Sequence, residues 1–77
     1  MLKADGLDDA ILGQTTVTRE GGEVDVLAYS VGKILLVLME RDSMSRGEAT
    51  EFFDFNIAGA WMGNETPIYI YEYYDAT

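Results

Sequence analysis

The sequence predicts an α+β domain: a small antiparallel sheet, built from a hairpin plus a C-terminal strand, with two main helices packed on one side. Three observations point there. A β-branched run, Thr15 to Thr18, precedes a glycine pair and a second apolar alternation. Apolar residues then recur at helical spacing from Val31 to Met39, and a Ser-x-x-Glu box at Ser45 opens a further helix. A proline-led alternation of isoleucine and tyrosine closes the chain.

Taken in order, Asp5 to Gly13 has early acids and a late glycine, the marks of one or two helical turns. Gln14 to Arg19 reads as a strand, Glu20-Gly21-Gly22-Glu23 as a turn with positive φ at its glycines, and Val24 to Tyr29 as the return strand. Ser30 is placed as an N-cap for a helix over Val31 to about Arg41, with Val31, Ile34, Leu35, Leu38 and Met39 on its stripe. Leu36 and Val37 interrupt that stripe, so a buried strand over Lys33 to Met39 competes with it. Length and the lack of an internal breaker favour a helix, one nearly surrounded by apolar contacts.

Asp42-Ser43-Met44 breaks the chain before the capping box of Ser45 and Glu48. The second helix should run from Arg46 to about Ala60, with Ala49, Phe52, Phe53, Ile57 and Ala60 facing inward. Asn56 falls on that stripe, which predicts a buried amide bonded to the Gly63–Pro67 connection. Pro67 then opens a strand over Ile68 to Tyr74, with Ile68 and Ile70 on one face and Tyr69, Tyr71 and Tyr73 on the other.

Seventy-seven residues make a single domain, residues 1–77, without repeat or low-complexity tract. A chain this short buries only about 60% of its unfolded surface, so its core is thin. It has no cysteine and no histidine. Disulfides and thiolate metal sites are thereby excluded, and the commonest metal ligand and general base are missing. Self-association remains as external support, and a homo-oligomer is one expectation. The longest apolar run, Ile34 to Met39, falls far short of the roughly 20 residues of a membrane span. With no apolar stretch behind Met1-Leu2-Lys3 and no cysteine, the expected location is the cytoplasm.

Fourteen acidic residues against five basic give a formal charge of −9. That balance opposes direct contact with nucleic acid and with anionic membranes, and favours a partner protein with a basic surface. It also serves solubility alone. No catalytic centre and no cofactor are expected. Serine and threonine lack a His or Cys partner, and Asp8 and Asp9 fit a helix start better than an acid–base pair. Asp42 to Gly47 imitates the start of a calcium loop, but Met44, Arg46 and Phe53 fall where oxygen ligands are required. Neither glycine-rich phosphate motif occurs.

Interaction candidates remain. Tyr69, Tyr71 and Tyr73 form either an interface or a core face. Phe55, Trp61 and Met62 lie off the helical stripe and form a second aromatic patch. Among the acids, Asp8, Asp9, Glu48, Glu51 and Asp54 are candidates, the last three recurring at every third position and so able to form one ridge.

From Met39 to Tyr71, a little under half the chain, the sequence resembles small bacteriophage and bacterial proteins with the pattern D-G-M-S-x-E-E-A-x-E-[YF]-F-[ED]-F-N-[VI]-x-G-A-[YW]-x-G-x-x-T-P-[IV]. Here that pattern appears as Asp42-Ser43-Met44-Ser45, Glu51-Phe52-Phe53-Asp54-Phe55-Asn56, Gly59-Ala60-Trp61 and Thr66-Pro67-Ile68. Ser43 and Gly47 depart from it, standing where it has Gly and Glu. A glycine in the first turn weakens that helix by up to about 1 kcal/mol. No activity attaches to the pattern, so it transfers no functional residue. It implies a phage-type context, in which a small acidic protein inhibits a host nucleic-acid-processing or defence protein by imitating phosphate charge. An oligomeric module that sequesters a nucleotide-like small molecule, with Lys33, Arg41 or Arg46 as cations, is the alternative. A structural accessory subunit is a third.

Overall fold

β-Branched residues and the glycine pair produce a hairpin longer than the sequence predicts. A computed structural model describes residues 1–72. In it β1 (Ile11–Arg19) and β2 (Gly22–Ser30) pair antiparallel, with Thr15 opposite Val26 and Arg19 opposite Gly22. Gly21 and Gly22 have φ of +94° and +122°, backbone that a side chain would strain. The helical turns expected over Asp5 to Gly13 shrink to one 3-10 turn, Asp8–Ala10. Gly13 does not end a helix. It lies inside β1 next to a bulge, because Ile11 already pairs with Tyr29 and a longer helix would pull it from the ladder. Leu7 and Ala10 are buried in the core from this turn.

β2 passes directly into α1 (Val31–Arg41), so a helix, not a strand, covers Lys33 to Met39. Ser30 makes the junction. Its hydroxyl accepts the Lys33 N–H at 3.1 Å and donates to the Glu72 carboxylate, with no exposure to solvent. Val31, Ile34, Leu35 and Leu38 are buried, whereas Leu36 is 53% exposed. α1 therefore has an outward face and is not wrapped in apolar contacts as expected. It ends where the N–H groups of Asp42 and Met44 both donate to the Leu38 carbonyl, with Ser43 between them at φ +56°.

α2 (Arg46–Phe52) begins with the expected capping box: Ser45 Oγ accepts the Glu48 N–H at 3.1 Å, and Glu48 accepts the Ser45 N–H at 2.9 Å. It does not continue as an α-helix to Ala60. After Phe52 the chain widens into a π-helical segment, Phe53–Ala58. Ala49 and Phe53 still reach the core. The wider i→i+5 turn rotates the following residues out of α-helical phase. Asn56 is consequently exposed, not a buried amide, and Phe52 is 38% exposed. The Gly63–Pro67 connection holds itself: Thr66 Oγ1 accepts the Met62 N–H at 2.7 Å and donates to the Gly63 carbonyl at 2.6 Å.

β3 is short, Ile68–Ile70, and pairs with β2 in parallel, with Tyr69 opposite Tyr29. The sheet order is β1-β2-β3, mixed where an antiparallel sheet was expected. The cause is the crossover: the chain leaves β2 through two helices and re-enters beside it travelling the same way. The strand expected to reach Tyr74 stops at Ile70, and Tyr73 and Tyr74 lie outside the described residues. Tyr29, Ile34, Leu38, Ala49 and Phe53 centre the core between the sheet and both helices. The thin dimension of the molecule, 20 Å, is two such layers.

Candidate functional site

α2 and its π-helical extension have one face in the core and another in solvent. Ala49 and Phe53 point inward, while Glu48, Glu51, Phe52, Phe55 and Asn56 join Met44 around an open groove of about 360 Å³. Phe55 is 77% exposed, more than any other large apolar side chain described. The Ser45 backbone N–H, and secondarily its side chain, hold the Glu48 carboxyl below the usual glutamate range. One carboxylate of the groove is thus fixed in place by the capping box. The groove offers carboxylates, two phenyl rings, a thioether and an amide, a set suited to a cationic, amphipathic surface.

Asp54 goes elsewhere. It lines a second groove with Arg46, Thr50, Phe53, Tyr71 and Glu72. The every-third spacing of Glu48, Glu51 and Asp54 is therefore divided between two surfaces. Asp8 and Asp9 sit on the 3-10 turn and line neither groove; Asp8 lies 3.6 Å from the Lys3 ammonium.

Tyr69 belongs to the core face, with its ring 5.8 Å from Tyr29 and 5.4 Å, edge-on, from Phe53. Burial, and then the neighbouring Tyr29, push its phenol above the ordinary tyrosine value. Tyr71 lies edge-on to Phe53 at 6.4 Å and is 54% exposed, so the tyrosine face is core at one end and surface at the other.

Trp61 is 64% exposed and stands over the Arg19 guanidinium at 4.7 Å. The same guanidinium donates to the carbonyls of Asn64 and Thr66, and Asn64 Nδ2 donates back to the Glu20 carbonyl. Nothing near Arg19 in sequence signals this, apart from its being the one cation in a strand that is otherwise uncharged. Phe52 was also missed as a groove residue, since it follows helical spacing toward the interior, and so was Met44, which the sequence marks only as part of the break between the helices.

Of the cations suggested for small-molecule capture, Arg41 is committed. It donates to the Gly6 carbonyl at 2.8 Å and forks onto Asp42 at 3.0 Å, which in turn holds the Asp42 carboxyl low. Among the described residues no cluster of three or more acids is placed to hold a metal ion, and no helix is long and apolar enough to cross a membrane. No family model, curated protein or solved structure matches the chain.

Proposed function

We propose that this chain is a non-catalytic protein-binding module that receives a basic partner surface on the outer face of α2 and its π-helical extension. The observation that carries this reading is Phe55: a phenyl ring 77% exposed, on a helical segment anchored by Phe53, in a groove shared with Glu48 and Glu51. An exposed aromatic on a rigid element loses little entropy on binding, and flanking carboxylates steer a cationic partner toward it. The formal charge of −9 extends that attraction beyond the groove. Proteins that hold nucleic acid in a basic cleft are the partner class of this chemistry. Inhibition of such a protein, host-encoded in a phage context, is the biological role proposed.

The test is affinity capture from the native host's lysate, with mass spectrometry, using the wild-type chain, Phe55→Ser and Glu51→Lys as parallel baits. The expected partner is retained by wild type alone and released as salt rises from about 0.1 M to 1 M, where the screening length falls from about 10 Å to 3 Å. Equal retention by all three baits, or retention indifferent to salt, would overturn the reading. Glu51 is the better charge probe because Glu48 also caps the helix.

A further inference from the structure

We propose that the free edge of β1 is a self-association surface on which a second copy of this chain adds its own β1 antiparallel, merging the two sheets into one. β1 is a terminal strand of the sheet: β2 pairs one side, and among the described residues no strand pairs the other. It runs for nine residues, against three in β3. The backbone groups along that side are satisfied only by water or by another strand. Edge strands that remain unpaired are ordinarily short or interrupted by lysine or proline. From Ile11 to Thr18 there is no charge and no proline. The bulge is confined to the Ile11–Gly13 end, and Gln14 to Arg19 keep a regular register.

Charge selects a second copy as the occupant. Two chains of formal charge −9 repel, and contact between them costs least where carboxylates are absent. β1 is such a place, carrying no acid and one arginine. Leu12 adds apolar area at the same edge: the bulge leaves it without a partner on β2, and it is 42% exposed. An antiparallel pairing centred on Thr15 overlaps the whole strand. It sets Thr15 beside its own copy, brings Leu12 to Thr18 of the second chain and puts Arg19 at the far end, near Ile11. Threonine pairs and β-branched neighbours are favourable across such a ladder.

Salt gives this association a signature opposite to that of the groove. Screening relieves repulsion between like-charged copies, so the dimer tightens with salt while binding of a basic partner weakens.

Sedimentation equilibrium of the full chain tests the proposal, read at low and high salt. The expected result is a mass that rises with concentration from 8.5 kDa toward twice that value, with the rise steeper at high salt. Leu12→Glu and Thr15→Glu should each weaken association by about tenfold or more, and Phe55→Ser should leave it unchanged. If Thr15→Glu loses its far-ultraviolet signature, Leu12→Glu carries the test, because its position has no partner on β2. A mass fixed at that of the monomer at every concentration and salt overturns the proposal. So does a dimer indifferent to the folded β1 variants, or one abolished by Phe55→Ser.

Discussion

Arg19 lies 4.7 Å from the centre of the Trp61 ring and reaches past it to the carbonyl oxygens of Asn64 and Thr66, at 3.3 Å and 3.0 Å. One side chain therefore ties the tip of the hairpin to the loop that precedes β3. Arg19→Ala should lower stability by about 1–2 kcal/mol, through loss of charge-assisted hydrogen bonds and the cation–π contact. Arg19→Lys should recover only part of it, since a compact ammonium lacks the two spaced nitrogens that reach the separate carbonyls and the flat face that stacks on the ring. Trp61 is the single tryptophan, so its fluorescence reports the loop directly. An emission spectrum and a melt both unchanged in Arg19→Ala would remove the tie.

Ser45→Ala should cost about 0.5–2 kcal/mol, the usual value of an N-cap. The pH dependence concerns Glu48, whose carboxyl is held low in the folded chain, chiefly by the Ser45 backbone N–H. A lowered folded value means stability present above the ordinary glutamate value, about 4.3, and lost as pH falls through the folded value. Asp42 contributes with the same sign through Arg41. Glu48→Gln keeps the hydrogen-bonding pattern of the box without the charge. Its deficit relative to wild type should be visible at neutral pH and disappear in acid, read by denaturant titration across pH.

Two substitutions should stabilise the chain. Ser43 occupies left-handed backbone at φ +56°, which costs a non-glycine residue about 1 kcal/mol, so Ser43→Gly should raise the melting temperature. Gly47 stands in the first turn of α2 with open space where a Cβ would project. Gly47→Ala should add roughly 0.4–1 kcal/mol by restricting the unfolded chain. A lower melting temperature in either variant contradicts the backbone assigned to it.

Neighbouring phenylalanines should behave oppositely. Phe53 is 1% exposed, and Phe53→Ala should cost about 3–5 kcal/mol, a large share of the 5–15 kcal/mol typical of a whole domain. Phe55→Ala should stay within about 0.5 kcal/mol of wild type, as should Asn56→Leu, because both side chains face solvent. Chemical denaturation of the three variants separates them. A large loss in Phe55→Ala would place that ring in the core and remove it from the groove.

By itself the sequence determined the features whose partners lie within a few residues. Ser45 and Glu48 are three positions apart, and their mutual hydrogen bonds form in any chain that turns helical there. The same holds for Ser30 capping Lys33 and for the glycine turn between two β-branched strands. Composition likewise determined the strong acidity and the lack of thiol and imidazole. Tertiary structure decided what depends on closing long loops. The direction of β3 follows from where the two-helix crossover returns, which no local pattern of Ile68 to Ile70 encodes. Arg19 meets Asn64 across 45 positions, and either residue alone looks like ordinary surface. Asn56 was misplaced by an assumption of constant helical pitch, and Asp54 by treating every-third spacing as a single ridge. A π-helical widening from Phe53 onward turned Asn56 to solvent. Asp54 parts from Glu48 and Glu51 because every third residue drifts by about 60° around a helix, enough over two steps to reach the neighbouring groove. Local hydrogen bonds are written in neighbouring residues, whereas helical phase beyond a pitch change is written in the packing that the rest of the chain supplies.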